Sequence, residues 1–228
     1  MTNMFDQLMA LPLFHGVGHE RLTGLLEKVP FHFLKYKPGD VIFMEGEQCA
    51  NLRFIVSGNA TLQTRFVQGS IRISQTFSAP DIIAPDYLFG RRTTYPFSLI
   101  AGENCGIMQL SKAHIIGILQ SEKICLLNML NYLSRNVQKN SLLYGSILNA
   151  EPTQRLASFI LAHTMPRTSD VALEFRMRDL CQLMNVRKAT LIGAVEQLEQ
   201  DGIIKADQEI IRVINLAALE KMVVLSDF

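Results

Sequence analysis

The chain has 228 residues, 48% of them hydrophobic, and 22 Lys and Arg stand against 21 Asp and Glu for a formal net charge of +1. That length and apolar fraction suit a soluble globular protein of one or two domains with a substantial core. The near-neutral balance excludes a global electrostatic signal for nucleic acid. No apolar run approaches the roughly 18 residues needed to cross a bilayer. The opening Met1–Phe14 segment lacks the basic region of a signal peptide, so a soluble cytoplasmic protein is expected. Cys49, Cys105, Cys125 and Cys181 are widely spaced and form no CxxC pair. This argues against a zinc or iron–sulfur framework and for free buried thiols in a reducing compartment.

In chain order, Leu8, Leu11, Leu22, Leu25 and Leu26 indicate a short helical region. A glycine-punctuated β section follows. Its candidate strands are Phe31 to Tyr36, Val41 to Met44, Leu52 to Val56, Ala60 to Phe66, Ile71 to Phe77, Ser98 to Ala101 and Gly106 to Leu110. Short strands with turn residues between them predict a barrel, roll or sandwich. Ser111 is a candidate cap for a short helix, Lys112 to Leu119. A longer helix is predicted from near Glu122 to about Asn149. Leu126, Leu133, Asn140 and Ile147 repeat at heptad spacing, and Leu130, Val137 and Tyr144 fill the alternate positions. This 4-3 pattern fits a two-stranded coiled coil, in which a polar Asn140 would fix register. The other reading is a long helix packed on its own domain.

Pro152 marks a break, and Thr153 to Thr164 reads as a linking helix, with a loop from Met165 to Asp170. Arg178 to Ile204 then reads as a helix-turn-helix. Leu180, Leu183 and Met184 recur at helical spacing, Asn185-Val186 breaks the pattern, and Leu191, Ala194, Val195 and Leu198 form a second apolar face that ends before Gly202. The bland alternative is an ordinary helical hairpin. The β-branched runs Ile203 to Ala206 and Ile210 to Ile214 flank a polar turn and add a wing; Leu173-Glu174-Phe175 is a candidate third strand. Asn215 is a candidate cap for a last helix, Leu216 to Met222. From residue 151 onward nine basic side chains face eleven acidic ones, so the part proposed to meet DNA is slightly acidic. Arg176, Arg178, Arg187 and Lys188 nevertheless cluster in sequence around the two helix starts. Local clustering matters more than the sum within a Debye length of roughly 10 Å.

The arrangement resembles the Crp/Fnr family of bacterial transcription regulators over nearly the whole chain. Its carriers are Tyr36-Lys-Pro-Gly-Asp-Val-Ile-Phe-Met-Glu-Gly-Glu47, Phe54-Ile-Val-Ser-Gly-Asn-Ala60, Glu151-Pro-Thr-Gln-Arg-Leu-Ala157 and Leu198-Glu-Gln-Asp-Gly-Ile-Ile204. The resemblance implies an α+β fold with a cyclic-nucleotide-binding-like β-roll at 1–120, a dimerisation helix at 121–150 and a winged helix-turn-helix DNA-binding domain at 151–228. It also implies double-stranded DNA, a second copy of the chain and an unidentified small-molecule effector as partners, with room for RNA polymerase and none for a membrane. Leu126, Leu130, Leu133, Val137, Asn140, Tyr144 and Ile147 would form the dimer interface. No cofactor, metal or catalytic residue is expected. Five lone histidines leave a haem ligand open, although such residues are more often surface or core.

The departures from the family are as informative. Members that bind cyclic AMP hold its ribose with a Gly-Glu pair and its phosphate with an Arg-Ser pair. Here the matching stretches read Ile83-Ala84-Pro85-Asp86 and Tyr95-Pro96-Phe97-Ser98. Losing the charge-assisted contacts would remove several kcal/mol, by order of magnitude, so cyclic AMP binding in the family manner is not expected. Arg91 and Arg92 are candidates for another anion, or a solvated pair on a turn. Asn140 and Ser141 fall where the family uses long-helix hydroxyls against the base, or serve only helix packing. The recognition helix begins Arg187, Lys188, Ala189, with Gly193 where the family has a second Arg. Arg187 or Lys188 would donate to guanine and Ala189 would meet a thymine methyl. Thr190, Arg176 and Arg178 would contact phosphate. A constitutive regulator with a purely structural roll is the rival reading. An enzyme on the roll is disfavoured by the lack of HExxH or a phosphate-cradling glycine loop.

Overall fold

The computed structural model describes residues 4–66, 69–147, 151–165 and 167–223. The chain divides into two compact units, Met1–Leu62 with Phe77–Arg135, and Gln63–Thr76 with Asn136–Phe228.

In the first unit, helices α1 (Met4–Met9) and α2 (His19–Lys28) precede the strands β1 (His32–Lys35), β2 (Val41–Phe43) and β3 (Asn51–Ser57). Then come β4 (Asn59–Phe66) and β5 (Ile71–Ser78), of which residues 63–76 belong to the second unit, and β6 (Asp81–Ile83), β7 (Ser98–Ala101) and β8 (Gly106–Ser111). One antiparallel sheet has the order β1-β8-β3-β6, and a second layer pairs β2 with β7. Alternation along β3 and β8 turns Leu52, Phe54, Met108 and Leu110 inward, where all are buried. Each such side chain contributes roughly 1.5–3 kcal/mol by leaving water. Phe14, from the N-terminal segment, packs its ring 5.9 Å from Phe54. The β3–β4 turn requires glycine: Gly58 has φ +68°, and an added Cβ would lie 2.2 Å from the Glu103 carbonyl oxygen. Helix α3 (Lys112–Ser121) is capped by Ser111, whose hydroxyl accepts from the His114 amide, and α4 (Lys123–Ile147) follows.

The second unit contains α5 (Pro152–Ala162), β9 (Thr168–Phe175), α6 (Met177–Met184), α7 (Lys188–Gln200), β10 (Ile204–Asp207), β11 (Ile210–Val213) and α8 (Leu216–Met222). Its strands run in the order β10-β11-β9-β5. Leu156, Ile160, Leu173, Leu180, Leu191, Leu198, Ile211 and Leu219 share one core with Ile71 and Ile73 of β5. The buried Gln75 seals the hairpin side of this core: its amide donates to the His163 carbonyl at 2.8 Å and accepts from the Met165 amide at 2.7 Å.

Two expectations change. The loop expected to reach Asp170 ends earlier, because β9 begins at Thr168. Its turn-prone composition is overridden by pairing with strands on either side, which buries Val171, Leu173 and Phe175. Strand β6 is additional; three residues are too few to show a periodicity, yet all three are buried beside β3.

Candidate nucleic-acid interface

The two helices of the second unit meet through a turn that the sequence dictates. Asn185 takes the left-handed conformation at φ 51°, ends α6, and its amide donates to the Gln182 carbonyl. The next amide, of Val186, returns to the Cys181 carbonyl. Helix α7 then buries Leu191, Ala194 and Leu198 and leaves Arg187, Lys188, Ala189 and Thr190 exposed. Arg187 occupies the cap position and has no side-chain acceptor to close the first turn. Among the described residues neither the Arg187 nor the Lys188 side chain has a polar partner. Gly202, at φ 68°, closes the helix, with its amide on the Glu199 carbonyl and the Ile203 amide on that of Leu198.

The wing is fastened at both helices. Strands β10 and β11 pair with Asp207 opposite Ile210, leaving Gln208 and Glu209 as the turn. Glu209 accepts the first amide of α6, from Met177, at 3.0 Å, and its carbonyl accepts from Phe175. Glu199 of α7 accepts the Ala206 amide at 2.6 Å. Further acidic groups are occupied likewise: Glu174 pairs with Arg72 at 3.4 Å and Asp179 with Arg178 at 3.3 Å. The acidic excess of this region is therefore partly spent inside the fold, while the cations at the helix starts face outward.

Arg176, the cap residue of α6, and Arg178 line one cleft of about 780 Å³ with Ser70, Arg72, Glu174, Asp179 and Gln182. Arg187 and Lys188 are not part of its lining. The Ser70 hydroxyl, assisted by the Arg178 guanidinium, holds the Asp179 carboxyl below its ordinary range against the opposing effect of burial.

In the first unit, the stretches expected to hold a cyclic nucleotide are packed with side chains. Ala84 takes φ 48°, and the buried Pro85 starts a 3-10 turn. Tyr95 is buried and stacks on Phe43 at 3.8 Å, and Phe97 packs 6.0 Å from Phe43 and edge-on to Tyr87. The cation here is Arg53 of β3: its Nη1 donates to the Tyr95 hydroxyl at 2.8 Å, and its guanidinium lies 5.3 Å from the Phe43 ring centre. Burial first, then the contact with Cys49, raises the Tyr95 phenol above its ordinary value. Burial likewise raises the Cys49 thiol, which disfavours the thiolate. Sequence reasoning missed Arg53; a lone arginine within an apolar strand was the available signal. Arg91 and Arg92 are exposed and, among the described residues, unpaired.

On α4, Cys125 and Met129 are buried, whereas Leu126, Leu130 and Val137 are 38%, 50% and 68% exposed. Burial pushes the Cys125 thiol up to about 12. Leu133 is half-buried; Asn140 and Ser141 are exposed. The side chains of Tyr144 and Ile147, and the expected helix end at Asn149, lie outside the described residues. No helix among the described residues is long and apolar enough to cross a membrane.

The order of these parts defines a class, a DNA-binding regulator with an N-terminal nucleotide-binding-type domain. Residues 33–122 match the cyclic nucleotide-binding domain family and residues 154–222 the Crp-like helix-turn-helix domain family. The chain is 20% identical over 216 residues to the cyclic AMP receptor protein of Thermus thermophilus, covering 92% of this chain and 96% of that protein. The catabolite activator protein structure of Thermus thermophilus matches with a TM-score of 0.52 at 18% identity, over 93% of this chain and 98% of that one. A CooA variant from Carboxydothermus hydrogenoformans matches at 0.50 and 15%, over 94% and 100%. The two structural likenesses speak for the fold alone. The chain belongs to the Crp/Fnr family of transcription regulators, which are not enzymes.

Proposed function

We propose that this regulator works in the cytoplasm as a homodimer that answers to an effector other than cyclic AMP. The roll to about residue 120 is its sensor, residues 121–150 its dimerisation helix and 151–228 its DNA-binding domain. The observation that carries the reading is the stack of Tyr95 on Phe43 beneath Arg53, where relatives that bind cyclic AMP use an Arg-Ser pair. The phenol itself offers a cyclic phosphate no charge-assisted contact, and it occupies Nη1 of Arg53, the cation beside it. The exposed stripe of Leu126, Leu130 and Val137 supports dimerisation, since an apolar heptad stripe gains by meeting its copy. Two recognition helices about one DNA turn apart, roughly 34 Å, would then read two half-sites. Arg187, Lys188 and Ala189 read bases; Arg176, Arg178 and Thr190 hold phosphate. RNA polymerase is the natural further partner of such a regulator.

The same aromatic packing favours one second reading, a constitutive regulator whose roll is purely structural. Calorimetry with cyclic AMP and thermal denaturation across a metabolite panel test both. The first reading expects no cyclic AMP binding and stabilisation by another compound; the second expects stabilisation by none.

A further inference from the structure

The hairpin formed by the end of β4 and the start of β5 belongs by sequence to the nucleotide-binding match at 33–122, yet by packing it belongs to the second unit. Its contacts there are specific. The Arg176 amide donates to the Ser70 carbonyl at 3.2 Å, immediately before α6. The Ser70 hydroxyl bonds the Asp179 carboxylate one turn further on. Arg72 pairs with Glu174 of β9 at 3.4 Å, and Ile71 and Ile73 are buried in the same core as Leu180 of α6. Together they set the hairpin tip against the start of the first helix of the helix-turn-helix, in the cleft that Arg176, Arg178 and Gln182 also line.

We propose that this hairpin is an autoinhibitory latch: seated on α6, it takes up the Arg176 amide and, through Ser70, holds in place the Asp179 carboxylate that engages the Arg178 guanidinium. The proposal rests on the reading of Arg176 and Arg178 as phosphate contacts. In the first helix of such a motif, which crosses the DNA backbone, those are the groups nearest the strand. The Arg178 guanidinium is turned to Asp179, which is itself held by Ser70. The Arg176 amide is satisfied by a protein carbonyl. The Arg178 side chain stays 91% exposed, so a phosphate arriving here must displace the Ser70 carbonyl from the Arg176 amide and the Asp179 carboxylate from the Arg178 guanidinium. Since the hairpin is sensor-domain sequence, its release is a direct route from a change in the roll to the DNA-binding helices, with no signal through the long helix required. The coupling is then a difference in DNA affinity between latched and released states.

The test uses the full chain and a fluorescent duplex of random sequence at low salt. Ser70→Ala removes the hydroxyl pin, and Arg72→Gln independently removes the ion pair. Each variant is expected to bind about three- to tenfold more tightly than the parent, the size of one lost net hydrogen bond. Amide hydrogen exchange at residues 176–179 of the free variants should quicken while α7 stays protected. Unchanged or weaker binding by both variants overturns the latch, and weaker binding would mean that the hairpin instead supports α6 on DNA. If the parent's affinity ignores the double change Arg176→Ala with Arg178→Ala, the phosphate-contact reading fails and the latch with it. If that change weakens binding but Ser70→Ala and Arg72→Gln do nothing, the latch alone fails.

Discussion

Arg53 and Tyr95 meet across the roll, Nη1 to hydroxyl at 2.8 Å, and both lie against the Phe43 ring. One guanidinium donor of Arg53 is thereby engaged by an internal phenol, and the cation packs against two aromatic rings.

Tyr95→Phe keeps the stack and removes the hydroxyl, leaving the partly buried Arg53 without that acceptor. A loss of about 1–3 kcal/mol in urea unfolding is expected. Tyr95→Ala also opens a cavity and should cost about 3–5 kcal/mol. Equal stability for all three proteins would mean that the pair is not a structural element.

Leu130→Glu places a charge on a side chain that is half exposed in the single chain. The substitution should leave each chain folded by circular dichroism but shift sedimentation toward monomer by at least about tenfold in dissociation constant, a cost of roughly 1.4 kcal/mol. An unchanged dimer would place the interface elsewhere, and an unfolded chain would assign Leu130 to its own chain's packing.

The heptad was legible because spacing alone reports a helical stripe, and the helix-turn-helix because Asn185 and Gly202 punctuate two apolar runs. The strands were legible where β-branched runs met glycine turns. Contacts far apart in sequence were not: nothing local connects Arg53 with Tyr95, Ser70 with Asp179, or Glu209 with Met177. The acidic sum of the C-terminal region misled for the same reason. Composition does not distinguish a carboxylate that caps a helix amide from one that repels a phosphate.

Arg187→Ala and Arg178→Ala should separate reading from holding. The first should change base preference at one position of each half-site by about 1–3 kcal/mol; the second should weaken all sequences alike and lower the salt slope by about one. Binding arrays at two salt concentrations measure both, and identical profiles would contradict the assignment.

His163 is half-buried between Phe66 and Phe159, with its Nδ1 on the Phe159 carbonyl. Burial lowers its pKa below the ordinary 6.5, and the carbonyl contact opposes this only in part. A depressed folded-state value means that the unfolded chain binds the proton more readily. Its contribution is therefore complete above about pH 6.5 and declines as pH falls toward the folded value. His163→Phe, which keeps the ring, should flatten that slope in denaturant melts between about pH 7 and 5; a slope of unchanged steepness would assign it to other groups.

The most direct test is selection of bound sequences from a random DNA pool by the full-length protein, run with and without cyclic AMP. The account predicts two-fold symmetric sites with half-sites about one helical turn apart. Their sequence should differ from the family's usual palindrome, and cyclic AMP should not affect their enrichment. Recovery of that usual palindrome only when cyclic AMP is present would contradict it.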